Sequence, residues 1–462
     1  MPQLERTPRT VAATGTAPET PRATPTLALT SAATAVALMT YTAPAVSLPG
    51  IAADLHTGVS AQAWLLNGTP LGLAALLLVA GSLADDYGRR RIFVAGTIAL
   101  GITTVLGGFT TSTLLFTLAR IAQGAASAAI LASSLGLLVQ AFPTPKGRLH
   151  ATGVWGAFVS GGIAVGPLVA GALPGWRTTY LVLGAVTLLV AALSARALTE
   201  SRAPRGGRPD LVGALVFSLA LVALVAALTL GRDGWLRTPV ALLFAAAVVL
   251  MAVFALVEHR NRTPMIDLSL LRRPRFLGSA VGGLFTGLAV LGLFTFLPTL
   301  LQRTLGLSPL DTAWLFLLWS GLSFVVALQA KRLAGRISSR HQLALGFALH
   351  AAAVLTMLGA VGSGSWTRVL PGLVIGGVGS GLLNAALPLV AVQSVPAERA
   401  AMGSGAQQTF RYIGSCAGVA LTIALVTSGG GSLAHGANVA AVVSAGLAVV
   451  GALGVLVLRE RS

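Results

Sequence analysis

The sequence has few charged residues and is especially poor in acids. Only 10% of its 462 residues are charged, and 13 of them are Asp or Glu, whereas a soluble domain carries roughly 25% charged residues. This deficit points to a membrane environment rather than to a large water-soluble core. The single cysteine, Cys416, excludes a disulfide within the chain. It also argues against a thiolate metal cluster, and we expect neither a metal nor a cofactor.

Grouped His, Asp or Glu residues are also missing from the sequence. Acid–base chemistry or metal binding at a membrane face would require such a group. The one adjacent pair of acids, Asp85 and Asp86, points to two different faces of a helix. We therefore predict that the chain is not an enzyme. The absence of a sizeable segment between the apolar stretches argues against a receptor.

Apolar residues, in contrast, are abundant and make up 55% of the chain. A membrane-spanning helix needs about 20 mostly apolar residues, and fourteen windows near that length occur. The windows are 27–48, 64–84, 92–110, 114–141, 151–172, 178–198, 211–231, 239–257, 276–301, 312–330, 342–361, 369–392, 401–427 and 437–458. They predict an all-α integral membrane protein that crosses the bilayer fourteen times.

The basic residues lie mainly between these windows. With the amino terminus in the cytoplasm, 24 of the 31 Lys and Arg residues fall in cytoplasmic tails and loops or, for Arg196, at the cytoplasmic end of the sixth window, and five fall in outer loops. The positive-inside rule favours this orientation and places both termini in the cytoplasm. The net charge of +18 is thus explained by topology and attraction to lipid, and we expect no nucleic-acid partner.

A faint internal repeat suggests how the windows are organised. The segment GSLADDYGRRR after the second window is echoed by KRLAGRISSR at residues 331–340. If windows seven and eight are an insertion, both segments join the second and third helices of a six-helix unit, and such repeats are typical of transporters. We predict a disordered tail (1–25), a first bundle (26–200), two inserted helices (201–260) and a second bundle (261–462).

The charged segment after the second window has a defined pattern. Glycines permit close helix approach and unusual turn dihedrals, and a carboxylate near a chain reversal can accept backbone N–H bonds or pair with arginine. The alternative is a charged segment that merely fixes the orientation of the chain in the membrane, for which the three arginines would be sufficient. The spacing resembles the 2-3 loop signature of the major facilitator superfamily, and within it the 14-helix drug:proton antiporter group. The resemblance implies a conformational switch at Gly81, Asp85, Gly88, Arg89 and Arg90.

Two further motifs carry the same resemblance. LARIAQG (118–124) resembles the family's fourth-helix motif, which implies a coupling role for Arg120, Gln123 and Gly124. An arginine in a bilayer is costly, so Arg120 either faces the bundle interior or extends toward the membrane edge. GGIAVGPLVAG (161–171) resembles the fifth-helix motif of the antiporters. The matching residues are Gly162, Gly166, Pro167 and Gly171.

The fifth-helix glycines have a physical interpretation. They predict a smooth groove for a neighbouring helix, and Pro167 predicts a bend. Ala170 departs from the family, which commonly has Gly there. Because uptake members of the family usually lack this motif, the resemblance favours export over uptake.

The sequence departs from the antiporter group at the first helix. Thr40 stands where the group commonly carries an aspartate, and none of the 13 acids lies in the middle of a predicted span. The remaining proton-carrier candidates are His350, Asp54, Asp311 and Asp85. His350 could equally be a neutral histidine hydrogen-bonded between helices. Proton coupling is therefore implied by the resemblance.

Polar residues inside the spans are candidates for lining a central cavity. They are Thr40, Tyr41, Asn67, His350, Asn384, Gln407 and Arg411. A cavity with few fixed charges suits bulky amphipathic molecules. Arg411 could attract an anionic group of a substrate, or could hold carbonyl groups at a helix crossing.

We predict a monomeric transporter of the cell membrane that exports amphipathic organic molecules, such as drugs and antibiotics, by alternating access. The resemblance implies that protons drive it. An uptake carrier or uniporter of the same fold for a small organic solute is the alternative, because the first-helix acid is missing.

Overall fold

The computed structural model describes residues 22–202, 211–231, 234–260, 273–329, 336–428 and 432–458. In these ranges the chain forms helices and no strands. The α-helices are α1 (Ala23–Thr42), α2 (Pro44–Asp54), α3 (Val59–Tyr87), α4 (Arg89–Gly108), α5 (Thr113–Ala141), α6 (Pro145–Ala172), α7 (Trp176–Ala197), α8 (Leu211–Gly231), α9 (Thr238–Arg260), α10 (Pro274–Phe285), α11 (Gly292–Leu305), α12 (Pro309–Leu328), α13 (Ser339–Thr356), α14 (Leu370–Gln393), α15 (Ala400–Ser428) and α16 (Leu433–Val457).

Helix occupies each of the fourteen predicted windows. Thirteen helical segments in the described ranges are long and apolar enough to cross a membrane. The remaining window contains α13, an 18-residue helix that packs between α14 and α16. The predicted all-α membrane fold is thus confirmed. Because α1 begins at Ala23, the last three residues of the predicted tail are helical, and residues 1–21 lie outside the described ranges.

The first predicted window contains two helices rather than one. Pro44 has no backbone N–H, so it cannot bond to the carbonyl of Thr40 four residues earlier, and α1 ends there. The chain passes through Ala43 with nearly helical dihedrals and continues as α2 to Asp54. The carbonyls at this break are available to side chains of other helices.

The ninth predicted window contains a π-helical segment, Thr286–Leu291, between α10 and α11. At this segment the chain lies directly against the backbone of α15. A Cβ atom at Gly287 would overlap the carbonyl oxygen of Arg411, and one at Gly292 would overlap Gly418. Glycine therefore allows close packing of two backbones where the regular helix is interrupted.

The two six-span units predicted from the sequence correspond to helices α1–α7 and α10–α16, and this division stays a prediction. Two helix pairs make most of the contact between the units, α3 with α15 and α6 with α12. The inserted helix α8 packs on both α3 and α15, and α9 packs on α8. Asn67 of α3 holds α8 in place by donating to the hydroxyl of Thr229 (3.3 Å).

The outer surface of the helices is apolar. Large side chains such as Leu106, Leu189, Val248 and Leu453 are more than half exposed. In water such a surface would be unfavourable, but it suits contact with lipid chains. The polar groups of the spans are correspondingly directed inward.

The echo of the loop signature is only partly described. Residues 331–335, including Gly335, lie outside the described ranges. The remainder, 336–340, leads into α13, which begins at Ser339. The comparison of the two loops therefore stays a prediction.

Candidate functional site

Asp85 joins the two units at one end of the bundle, which we call the Asp85 end. Its carboxylate is fully buried and accepts a hydrogen bond from the backbone N–H of Met402 (3.0 Å) and another from Arg89 (2.8 Å). Met402 lies in the first turn of α15, where N–H groups lack helical partners and attract negative charge. Asp85 therefore caps a helix of the second unit, not the adjacent α4.

Arg89 extends this contact to two further segments. Its guanidinium donates to the carbonyl of Gly136 in α5 (3.1 Å) and to those of Ala397 (3.2 Å) and Glu398 (2.8 Å), which precede α15. The side chain is only 2% exposed. We call Gly81, Asp85 and Arg89, together with Glu398 and Met402, the Asp85 latch.

The glycines of the signature have separate structural reasons. A Cβ atom at Gly81 would lie 2.5 Å from the carbonyl oxygen of Ala401, so glycine permits α3 and α15 to touch. Gly88 has a φ of 125°, a region that disfavours other residues, and turns the chain from α3 into α4. Both requirements agree with the sequence prediction.

Two partners of the loop were missed by the sequence analysis. Glu200 accepts the backbone N–H groups of Arg90 (3.1 Å) and Arg91 (3.2 Å) and so caps α4. Arg399 pairs with Asp86 at 2.8 Å and forms a second bridge between the units. Both lie more than 100 positions from the loop along the chain, so no local pattern reveals them.

Arg120 is fully buried inside the first unit. It donates to the carbonyls of Thr40 (2.7 Å) and Tyr41 (3.0 Å), at the break between α1 and α2, and to Gln123 Oε1 (3.0 Å). The Thr40 carbonyl is the one that Pro44 leaves without a helical partner. The interior position is thus observed, and the alternative that Arg120 extends to the membrane edge is wrong.

Gln123 and Gly124 support this arrangement from the same helix. Gln123 donates in turn to the carbonyl of Thr103 in α4 (3.2 Å). Gly124 lies against the backbone of Thr69 and Gly72 in α3, where a Cβ would overlap the Thr69 carbonyl oxygen. The fourth-helix motif thus connects α1, α3 and α4 around the buried guanidinium of Arg120.

The fifth-helix motif binds α6 to two different helices. Cβ atoms at Gly162 and Gly166 would overlap the backbone of Ala35 and the side chain of Thr42, respectively, so both glycines seat α1. Gly171 instead faces Leu310 of α12, in the other unit. The prediction of a single groove for one neighbour is therefore wrong beyond Gly166.

Pro167 creates a second carbonyl without a helical partner. It cannot bond to the carbonyl of Ile163, and the hydroxyl of Thr42 lies 3.4 Å from that oxygen and donates to it. The same hydroxyl proton is shared with the closer carbonyl of Leu38 (2.9 Å). The helix break at Pro44 and the break in backbone hydrogen bonding at Pro167, inside the continuous helix α6, therefore meet at Thr42.

An apolar cavity lies between the two units beside these breaks. It is lined by Tyr41, Thr42, Ala45, Leu66, Ile163, Pro167, Leu291, Phe294, Thr295, Pro298, Phe316 and Trp319. Phe294 and Trp319 stack with ring centres 4.6 Å apart. About 50 Å³ is free, whereas ligand pockets usually measure ~300–1,000 Å³. The cavity is therefore narrow in this conformation.

Most of the polar residues predicted to line a cavity do not line this one. Tyr41 lines it, but Thr40 is buried without lining it and Asn67 faces α8. His350 bonds to Ser444 of α16 (3.1 Å), beside the π-helical segment. This is the interhelical position that the sequence analysis left open as an alternative.

Asn384 belongs to a polar cluster across the unit boundary. Its amide donates to Ser160 of α6 (2.9 Å), and Ser160 lies 2.8 Å from Ser323 of α12. The cluster is buried and connects α6, α12 and α14. It lies outside the lining of the apolar cavity.

Helix α15 carries several buried polar groups that lack hydrogen-bond partners among the described residues. These atoms are Ser404 Oγ, Gln407 Nε2, Gln408 Oε1, Thr409 Oγ1 and Arg411 Nε. Arg411 is 5% exposed and has no acidic partner within the described ranges. It therefore differs from Arg120, whose guanidinium is occupied by carbonyl groups.

The other carboxylates considered as proton carriers lie at the opposite end of the bundle. Asp54 is about half exposed and pairs with Arg177 (2.9 Å). Asp311 forms a capping box with Ser308 at the start of α12. Of the acids considered, only Asp85 is buried at a contact between the units.

The family assignment follows from the whole chain as well as from these motifs. Residues 30–419 match the model of the Major Facilitator Superfamily. The chain belongs to the major facilitator superfamily. It is therefore a multi-pass membrane protein of a transporter family.

Similar proteins include transporters from actinobacteria. The chain is 33% identical over 380 residues to the multidrug resistance protein Stp of Mycobacterium tuberculosis, covering 81% of this chain and 70% of Stp. It is 32% identical over 391 residues to the probable actinorhodin transporter of Streptomyces coelicolor (81% and 67%). It is also 32% identical over 428 residues to the puromycin resistance protein pur8 of Streptomyces alboniger (89% and 85%).

A solved structure shows the same fold. The human organic anion transporter MFSD10 (TETRAN) superposes with a TM-score of 0.68, covering 94% of this chain and all of that chain. Sequence identity is 16%, so the likeness concerns the fold alone.

Proposed function

We propose that this chain exports amphipathic organic molecules from the cytoplasm by alternating access. The observation that carries the proposal is the Asp85 latch, which joins α3 of one unit to the first turn of α15 in the other. The distribution of basic residues supports a location of this latch, and of both termini, at the cytoplasmic face of the cell membrane. The presence of both predicted units in one chain supports transport by a monomer.

The observed conformation corresponds to the stage with the cytoplasmic side shut. The latch and the bridge between Asp86 and Arg399 close that side, and the cavity between the units has little free space. Separating α3 from α15 breaks these contacts and opens a path to the cavity. Rocking of one unit against the other then moves the substrate outward.

The cavity and the relatives support the kind of substrate. Aromatic and aliphatic side chains with few fixed charges bind apolar molecules without requiring a single polar pattern. Relatives named for multidrug and puromycin resistance and for actinorhodin transport share about a third of their aligned residues with this chain. Drugs and antibiotics of this kind fit the proposed export.

Asp85 is the carboxylate through which protons are proposed to act. Its charge is stabilised by Arg89 and by the Met402 N–H. Protonation would remove that charge and weaken both contacts, because each depends on a carboxylate acceptor. Proton binding to Asp85 is thus linked to opening of the latch.

The export proposal can be tested in inverted membrane vesicles. A panel of lipophilic cations, anions and neutral drugs is added with and without an imposed pH gradient. We expect gradient-driven accumulation of some of these compounds, which a protonophore abolishes. Absence of such accumulation for every compound would contradict proton-coupled export.

A further inference from the structure

Three arginines are buried in the described helices, and two of them, Arg89 and Arg120, have hydrogen bonds made by the protein. Arg120 donates to carbonyls of α1 and to Gln123. No described residue accepts a hydrogen bond from Arg411, although its side chain is 95% buried (5% exposed). A buried guanidinium without a partner is strongly unfavourable, so this position calls for a partner that the described residues do not supply.

Arg411 belongs to a polar stripe on α15. Residues 404, 408, 411 and 415 recur at helical spacing and share one face. We define the α15 stripe as Ser404, Gln407, Gln408, Arg411 and Ser415. Side-chain atoms of the first four lack partners among the described residues. An unpaired stripe is unusual in a bundle whose other buried polar groups are mostly bonded.

The stripe connects the latch to the cavity. Ser404 lies two residues after Met402, which the latch holds. At the other end, the hydroxyl of Ser415 is 3.5 Å from that of Tyr41, and Tyr41 lines the apolar cavity. Ser404 and Ser415 are eleven positions apart, which corresponds to about 16 Å along a helix. Opening of the latch would therefore expose the stripe along the route to the cavity.

We propose that Arg411 is the binding site for the acidic group of the substrate, and that the preferred substrates are amphipathic organic anions such as aromatic carboxylates. This rests on the proposed export function. The carboxylate would receive two parallel hydrogen bonds from the guanidinium, with the unpaired Nε2 of Gln407 as a further donor. The apolar part of the molecule would lie toward Phe294, Phe316 and Trp319.

Three anthracenes of nearly equal size provide the test. They are 9-anthracenecarboxylate, 9-anthracenecarboxamide and 9-(aminomethyl)anthracene, which carry negative, zero and positive charge. Gradient-driven transport of each is measured in inverted vesicles containing the wild type, Arg411→Gln, Arg411→Lys or the matched control Arg303→Gln. Arg303 is exposed near the end of α11 and serves as an arginine away from the stripe.

We expect Arg411→Gln to lower transport of the carboxylate by about tenfold or more, since a charge-assisted bidentate contact is lost. The amide and the amine should change by less than about twofold, as each is bound mainly by apolar contact. Arg411→Lys should retain part of the carboxylate transport, and Arg303→Gln all of it. An equal loss for all three compounds would indicate a structural role and overturn the proposal.

Binding to the wild type keeps the test decisive if Arg411→Gln fails to fold. Quenching of tryptophan fluorescence measures the three affinities in detergent, and we expect the carboxylate to bind at least about tenfold more tightly than the amide. Equal affinities would overturn the anion site while leaving export intact. Absence of transport for these and all other amphipathic compounds would instead contradict the export function.

Discussion

The carboxylate of Asp85 in α3 accepts a hydrogen bond from the backbone N–H of Met402, 317 positions later in the chain. The bond joins the two units through the free N–H groups at the start of α15. The side chain at the end of α3 thus caps the start of α15. The latch predicted from a short motif therefore depends on a partner that carries no motif.

The latch predicts a difference between two adjacent aspartates. Asp85→Asn should lower transport by about tenfold or more, because a neutral amide weakens the bonds to Arg89 and Met402. Asp86→Asn should retain transport within about threefold, because Asp86 is partly exposed and surface ion pairs contribute little. Transport in inverted vesicles, corrected for expression, measures both.

Thiol labelling tests whether Asp85→Asn opens the latch or only disturbs the structure locally. In a Cys416→Ser background, a cysteine introduced at Ser404 reports whether the path behind the latch is open. Asp85→Asn should increase its reaction with a membrane-impermeant reagent on the cytoplasmic side. Full transport together with unchanged labelling in Asp85→Asn would remove the switch role of Asp85.

The Arg120 site predicts coupling between an arginine and a proline. Arg120→Gln should lower the free energy of unfolding by roughly 3 kcal/mol, because the bonds to Thr40 and Tyr41 are lost in a buried site. Pro44→Ala restores an N–H that can bond to the Thr40 carbonyl. The double variant should therefore be more stable than Arg120→Gln alone, as measured by thermal unfolding in detergent.

A double-mutant cycle gives the criterion for this prediction. Residues that share one acceptor should show a coupling energy above about 0.5 kcal/mol. If the effects of Arg120→Gln and Pro44→Ala simply add, the hydrogen bond from Arg120 to the Thr40 carbonyl does not depend on Pro44.

The fifth-helix motif predicts a strict requirement for glycine at the contact with α1. Gly166→Ala should lower the melting temperature and abolish transport, because the added methyl would lie 2.6 Å from the carbonyl oxygen of Met39. Gly446→Ala in α16 is the matched control, since no atom lies within 4 Å of its Cβ position. That variant should be neutral or slightly stabilised. Equal behaviour of the two variants would contradict the packing argument.

The position of His350 predicts that it does not carry the coupled proton. His350 bonds to Ser444 and lies outside the apolar cavity. His350→Gln, which can keep a bond to Ser444, should leave the pH dependence of transport unchanged, whereas Asp85→Asn should flatten it. The measurement is transport as a function of pH at constant gradient. If His350→Gln flattened the pH dependence of transport, this prediction would be wrong and His350 would take part in proton coupling.

The helices and the family could be predicted from the sequence because the relevant signals are local. In a bilayer each backbone group must bond within its own segment, so apolar length alone marks a helix. All fourteen windows contain helix for this reason. The signatures around Asp85, Arg120 and Gly166 are equally local, and the residues 30–419 belong to the family they resemble.

The partners of these residues were decided only by the tertiary structure. Arg120 and Arg411 are both arginines within apolar spans, and no local feature says that only the first meets unpaired carbonyls. For the same reason the sequence predicts that Asn67, His350 and Asn384 line a cavity, whereas none of them lines the apolar cavity between the units. Polar residues inside a span indicate an inward face, but helix pairing decides what they contact.

The sequence by itself determined which segments are helical, which family the chain belongs to and which buried groups require explanation. The tertiary structure decided that Asp85 caps α15, that Arg120 satisfies the break at Pro44, and that Arg411 has no partner among the described residues. The physical reason is the range of the interactions. Backbone hydrogen bonds of a membrane helix close within four residues, whereas each of these side chains meets groups brought together by packing of distant helices.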